Sequence, residues 1–140
     1  MELVVDSNIV ISALIRDSST RKIILDSNYR FYAPEFLRTE IEKYRDLMKE
    51  KSGLKEDEVE TLLDLVLGEV EFLPIESYED KLDKAEKLVG EEDIKDVPFI
   101  AAALHKECRI WSDDKDLRKQ NRVEVKTTEG IIELLESEDL

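Results

Sequence analysis

The feature that most constrains this chain comes first. Leu3-Val4-Val5 is a short apolar run that stops at Asp6-Ser7-Asn8, a carboxylate, a hydroxyl and an amide. Ile9-Val10-Ile11-Ser12-Ala13-Leu14-Ile15 then continues apolar. A buried strand followed at once by a helix gives this pattern. Burial on both faces is the condition of a strand in a parallel sheet, because helices cover both sides. Ligands of open α/β sheets bind just beyond the carboxyl ends of the strands. Asp6 therefore stands where a site would be. The same residue, or Ser7 or Asn8, could equally do no more than cap the first helix.

The rest of the chain repeats the alternation. After a polar break at Arg16-Asp17-Ser18-Ser19-Thr20, a short helix is expected over Thr20 to Ser27, then a strand over Tyr29 to Ala33. Pro34 ends that strand and opens a helix near Glu35, which buries Leu37, Ile41, Tyr44 and Met48 at spacings of 4, 3 and 4. Lys51-Ser52-Gly53 breaks it. A third long helix follows from about Lys55 to Leu67, with Val59, Leu62, Leu63 and Val66 on one face and Gly68 closing it. Val70 to Leu73 alternates like a strand stopped by Pro74. Tyr78, Leu82, Ala85 and Val89 carry the next helix to Gly90. Beyond an acidic break, Asp96 reads as an N-cap with Pro98 in the first turn, and Val97, Ile100, Ala101, Leu104 and Cys108 as the buried stripe. Arg109 to Ser112 is a fourth strand and Val123 to Val125 a short fifth, and Thr127 or Thr128 caps a last helix. Strands alternating with helices predict an α/β fold. The expected form is a three-layer α/β/α arrangement with a central parallel sheet of about five strands and right-handed crossovers. Residues 1–140 are expected to form one domain.

Charge narrows the partners. The formal net charge is −14, so bulk charge gives no affinity for phosphate backbones or anionic membranes. Attraction to nucleic acid would need a local basic patch, a metal or a basic partner. The single cysteine, Cys108, excludes an intramolecular disulfide framework and any cysteine-based zinc site, and reads as a small buried hydrophobe. No apolar run has membrane-spanning length and no signal peptide is seen, so the expected location is cytoplasmic, with no membrane partner.

Thirty-five acids must mostly be solvated faces. A few are placed differently. Asp6 ends the first strand. Glu40 follows Leu37 by three residues and precedes Tyr44 by four, on or beside the buried stripe. Asp96 begins the helix before strand four, and Asp114 and Asp116 follow that strand at once. Each has an ordinary reading: Glu40 as a surface residue, Asp96 as a cap, Asp114 and Asp116 as turn residues. If they converge, several carboxylates repel one another unless a cation joins them. Oxygen-only ligands without Cys or His suit Mg²⁺ or Mn²⁺. Such an ion neutralises a scissile phosphate, lowers the pKa of a water it binds and can hold the leaving oxygen.

Taken together, these residues resemble the PIN domain family of metal-dependent nucleases. Val5-Asp6-Ser7-Asn8 is similar to that family's strand-ending Asp followed by Ser or Thr and Asn. Pro34-Glu35-Phe36-Leu37-Arg38-Thr39-Glu40-Ile41 resembles its second motif, an acid several residues after a Pro on a helix. Asp96-Val97-Pro98-Phe99-Ile100-Ala101-Ala102-Ala103 resembles the third, an Asp opening a small, apolar helix. Trp111-Ser112-Asp113-Asp114-Lys115-Asp116-Leu117 resembles the fourth, a Ser or Thr, one spacer, then Asp, often with a second Asp two further on. The resemblance implies that Asp6, Glu40, Asp96 and Asp114 hold one or two divalent ions, with Asp116 auxiliary and Asp93 a further candidate. Asn8 and Ser112 would orient the carboxylates or a water on the metal. It also implies an RNA substrate, an antitoxin partner of the kind that holds small prokaryotic members, and a homodimer.

Two other classes compete. A phosphotransfer or phosphatase domain also builds a Mg²⁺ pocket on a small α/β fold. The phosphatase pattern needs a second Asp two residues after the first, where this chain has Asn8. A receiver needs an acceptor Asp at the end of strand three, where Phe72-Leu73-Pro74-Ile75 offers none. The remaining alternative is a non-catalytic PIN-like binding module, since a fold never proves activity.

Overall fold

The structure is a computed structural model that describes residues 1–16 and 19–138, with the backbone alone at Glu92. Asp17 and Ser18 of the expected polar break lie outside the described residues. Among the described residues five strands, β1 (Glu2–Val5), β2 (Arg30–Pro34), β3 (Val70–Leu73), β4 (Arg109–Trp111) and β5 (Val125–Lys126), form one sheet in the order β3-β2-β1-β4-β5. Every neighbouring pair is parallel. Leu3 sits opposite Phe31 on one side and Arg109 on the other, and Val5 opposite Trp111.

The helices are α1 (Ser7–Ile15), α2 (Ser19–Asp26), α3 (Leu37–Lys43), α4 (Arg45–Ser52), α5 (Glu56–Gly68), α6 (Ile75–Tyr78), α7 (Leu82–Val89), α8 (Val97–Lys106) and α9 (Thr128–Glu138). From β1 the chain steps outward to β2 and β3, with α1 to α5 as crossovers. It then returns through α6 to α8 past β1 to β4. Right-handed crossovers in opposite directions place the two helix groups on opposite faces. Accordingly α1 packs on α2, α4 and α5, whereas α8 packs on α6, α7, β1, β2 and β4. The sheet is therefore doubly wound, and its direction reverses between β1 and β4. That gap is the crevice where such sheets take ligands.

Two-sided cover explains the strand composition. Leu3, Val4 and Val5 are all fully buried, with no polar alternation. Each such side chain contributes about 1.5–3 kcal/mol by leaving water. Phe31 and Trp111 fill the space beside them, with ring centroids 5.8 Å apart.

Several boundaries differ from expectation. The helix expected to run through Met48 is two helices, because Tyr44 leaves helical geometry at φ −102, ψ 7. Its N–H bonds the Ile41 carbonyl at 3.0 Å, tightening the last turn of α3. The change of direction lets both Ile41 and Met48 reach the core and leaves Tyr44 exposed, not buried. Likewise the helix expected through Val89 is interrupted by a 3-10 turn at Glu79–Lys81. Gly68 lies inside the last turn of α5, and Glu69 caps it. In α8 burial is broader than a stripe, taking in Phe99, Ala102 and Ala103, because sheet and helices enclose it. Leu104 is half-buried, and Cys108 lies beyond the helix, after Glu107 turns the chain at φ 53. The fifth strand begins at Val125, not Val123. Before it, the Gln120 amide replaces ladder bonds, donating to the Leu117 and Val123 carbonyls at 2.9 and 2.8 Å and accepting from Val123 N–H at 2.9 Å. Among the described residues no helix is long and apolar enough to cross a membrane.

Candidate active site

Asp6 is the first residue beyond β1, and its two oxygens serve different partners. Oδ1 accepts the Ile9 N–H at 2.9 Å and so caps α1. Oδ2 accepts the hydroxyl of Ser112, the first residue beyond β4. The cap reading of Asp6 is correct for one oxygen, and the other reaches across the crevice. Asp6 is only 6% exposed. Burial pushes its carboxyl from 3.8 up to about 6 against the lowering effect of both hydrogen bonds, with the charges of Asp114 and Asp113 adding to the rise. Desolvation therefore dominates here.

The loop after β4 is tied by side chains. Ser112 Oγ also accepts the Asp114 N–H at 3.0 Å, and Asp114 Oδ1 accepts the Asp116 N–H at 2.9 Å. These are local bonds of the kind that shape turns, so Asp114 and Asp116 do have a turn role. Asp116 also pairs with Lys119 at 2.9 Å. A cleft of about 560 Å³ opens beside this loop, lined by Asn8, Ile9, Ser12 and the run Asp113 to Asp116.

Asp96 arrives from the opposite helix layer. Gly90, at φ 78 and ψ 178, ends α7 and starts the kinked 3-10 segment Glu91–Asp96. That backbone region is open essentially to glycine alone. Asp96 was expected to cap α8, but its side chain makes no capping bond. Pro98 in the first turn has no N–H to offer, which reduces the need for a cap. The carboxylate is left for the crevice. It is pushed from 3.8 up to about 6 by burial first, then by the charges of Asp114, Asp93, Asp6 and Asp116. The acids of β1, β4 and the start of α8 thus act on one another.

The PIN domain profile matches residues 4–136. The chain belongs to the PIN domain family. Members of this family are generally metal-dependent nucleases. A solved structure of VapBC2 from Rickettsia felis, bound to a DNA fragment from their promoter, is similar in fold. The TM-score is 0.63 at 14% identity, over 91% of this chain and 98% of that chain. Comparison with curated proteins found no match.

In this PIN domain Glu40 is brought in by a different route. It lies half-buried in the first turn of α3 and accepts the Ser7 hydroxyl at 2.7 Å, one residue from Asp6. Phe36 and Phe99 meet edge-on at 5.6 Å, holding the start of α3 against α8. Glu40 is tethered beside the acid group, but its charge is not among the leading ones acting on Asp6 or Asp96. Asn8 is exposed at the cleft, and Asp93 is half-buried ahead of Asp96.

Carboxylates from four elements, two of them raised by burial and by neighbouring charge, and without Cys or His, fit a divalent ion of the Mg²⁺ or Mn²⁺ type as donors. Among the described residues no three acid, His or Cys side chains are already grouped closely enough to hold one. The final grouping would have to form with the ion. A second cleft of about 570 Å³ lies at the other edge of the sheet, lined by residues including Glu2, Lys84, Cys108 and Arg122, away from these acids. Burial pushes the Cys108 thiol up to about 11, which keeps it a thiol and not a nucleophile. His105 is exposed.

Sequence reasoning missed three participants. Ser7 is the hydroxyl that holds Glu40. Asp113 borders the cleft but gives both oxygens to Thr128, and Trp111 joins them through its indole N–H. The available signal for Ser7 was its place between Asp6 and Asn8. Nothing in the sequence separates Asp113 from Asp114 by type.

Proposed function

We propose that this PIN domain, taken as one unit over residues 1–140, is a cytoplasmic, divalent-metal-dependent endoribonuclease acting on single-stranded RNA. The observation that carries the reading is the pair Asp6 and Asp96, two acids from different elements, each pushed up to about 6 by burial and by neighbouring carboxylates. Acids held in that state gain most from a cation. Asp6, Glu40, Asp96 and Asp114 would hold one or two ions of Mg²⁺ or Mn²⁺, with Asp116 and Asp93 as further ligands. When bound, the ion supplies neutralisation of the scissile phosphate and activation of water for attack.

The chain's own residues prepare that chemistry. Ser112 holds the outer oxygen of Asp6, and Ser7 holds Glu40. Asn8 stands at the rim of the cleft, where its amide would orient an acid or the attacking water. Lys115 is the one cation among the described residues that line this cleft. Lys119, in the turn that follows, is paired with Asp116. Lys115 would meet a backbone phosphate, which a chain at −14 does not attract by bulk charge.

An antitoxin partner belongs to the proposal. The family includes small ribonuclease toxins held by antitoxins, and the likeness in fold to VapBC2 supports such a pairing. Two copies are also expected to pair, and the exposed Tyr44 between α3 and α4, Leu47 on α4 and Leu65 on α5 supply apolar surface for contact.

The test is incubation with single-stranded RNA and DNA oligonucleotides, with Mg²⁺ or Mn²⁺ and in chelator. RNA should be cut only with the ion. Undiminished cleavage in excess chelator, or cleavage of DNA alone, overturns the reading. Asp6→Asn and Asp96→Asn should each abolish turnover with an unchanged circular-dichroism spectrum.

A further inference from the structure

We propose that Asp113 is a positioning residue and not a metal ligand, and that with Thr128 it anchors the Asp114 loop to the last helix. The inference rests on the metal-dependent reading above. Asp113 borders the cleft between two residues that serve the site, Ser112 and Asp114, yet both of its oxygens are taken by Thr128. Oδ1 accepts the Thr128 backbone N–H and Oδ2 accepts the Thr128 hydroxyl, each at 2.7 Å. The Thr128 hydroxyl in turn accepts the indole N–H of Trp111 at 3.0 Å. Trp111 is fully buried.

The proton arrangement in this trio is unique. An indole N–H can only donate and an ionised carboxylate can only accept. The single hydroxyl proton of Thr128 must therefore point to Asp113, and one of its lone pairs to Trp111. Asp113 is exposed and sits at the N-terminus of α9, where a negative charge is favoured. A network with one arrangement and a buried anchor holds its members in place.

The loop is thereby pinned from both sides. Inward, Ser112 bonds Asp6 and takes the Asp114 N–H. Outward, Asp113 bonds the first residue of α9, beside the β5 residue Lys126, whose carbonyl accepts the Ser112 N–H at 3.0 Å. Asp114 is carried between the two anchors. Releasing the outer one lets the loop move, and ion binding must then order it again. Groups that orient metal ligands in this way typically change metal affinity by about 10–100-fold when removed.

The experiment is Mn²⁺ titration by calorimetry on the full chain, with melting temperatures read in chelator. Asp113→Ala and Thr128→Val should each weaken Mn²⁺ binding about tenfold or more, with the number of ions per chain unchanged. Thr128→Ser keeps the N–H and the hydroxyl and should bind as the parent does. Thr127→Ala is the control for helix stability. It removes the oxygen that accepts the Gly130 N–H at 3.1 Å and caps α9 without touching the trio. It should lower the melting temperature and leave Mn²⁺ affinity alone. Parent-like binding by Asp113→Ala and Thr128→Val overturns the inference, as does equal weakening by Thr127→Ala. Fewer ions per chain in Asp113→Ala makes Asp113 a ligand and also overturns it. A parent that binds no Mn²⁺ fails earlier, at the metal reading itself, and removes both.

Discussion

The Ser112 hydroxyl donates to the Asp6 carboxylate across 106 positions of sequence, joining the carboxyl ends of β4 and β1 at the point where the sheet reverses direction. That bond lowers the Asp6 carboxyl while burial raises it. Ser112→Ala removes the opposing influence and leaves a buried carboxylate oxygen unpaired, at about 1–3 kcal/mol of stability near neutral pH. The acid limb of the pH–rate profile should move to higher pH, with the rate at neutral pH reduced, and Ser112→Thr should restore both. An unmoved acid limb would show that Ser112 does not set Asp6.

Stability in chelator should fall as pH rises across the acid range. Asp6 and Asp96 each go from 3.8 to about 6, so the native state holds protons that the unfolded chain has released. Their contribution is full below the unfolded value and is lost as pH climbs to the folded one. For Asp6 alone the loss is about 3 kcal/mol by the usual conversion of a shift to free energy. Glu42 and Glu124, lowered by hydrogen bonds from Arg45 and Arg109, act in the opposite sense, but they are exposed and screened. Denaturant titrations of parent and Asp96→Asn isolate the site. The variant should match the parent at about pH 4 and exceed it at about pH 8. A parent at least as stable as the variant at the higher pH would contradict the raised Asp96 carboxyl, whose first cause is burial and whose second is neighbouring charge.

Divalent ions should reverse that loss. An ion that binds only the folded state adds about 2.7 kcal/mol at a hundredfold excess over its dissociation constant. Mn²⁺ or Mg²⁺ should raise the melting temperature at neutral pH more than Na⁺ at matched ionic strength, which controls for screening in a chain at −14. Asp96→Asn should blunt the response. Equal stabilisation by Na⁺ and Mg²⁺ would mean that the acids do not form one site.

Lys115 should act on substrate and not on the ion. Lys115→Ala is expected to raise KM several-fold with a smaller change in kcat. The slope of log KM against log salt should flatten by about one phosphate contact. A slope identical to the parent's would remove Lys115 from the interface.

Much of this was legible in the amino-acid order. A strand covered on both faces must be apolar throughout, so Leu3-Val4-Val5 and its successors announce a parallel sheet before any coordinates exist. Carboxylates at the ends of such strands are then placed by topology, and Asp6 and Asp114 lie where the sequence put them. The split of a helix at Tyr44 was not legible, because the apolar spacing continues through it and only packing requires the turn.

What tertiary structure alone decided was which acids meet and which way they face. Strand order sets β4 beside β1, so Asp6 finds Ser112 and not a nearer hydroxyl in sequence. Asp96 has the residue type and position of a helix cap, and only the kinked backbone from Gly90 leaves its oxygens free. Asp113 and Asp114 are chemically identical neighbours. Both border the cleft, but the oxygens of Asp113 bond Thr128 at the start of α9, whereas Asp114 Oδ1 accepts the Asp116 N–H within the loop. Local sequence fixes the kind of group at each position through chemistry and period. The direction in which it points is set by contacts between segments far apart in the chain.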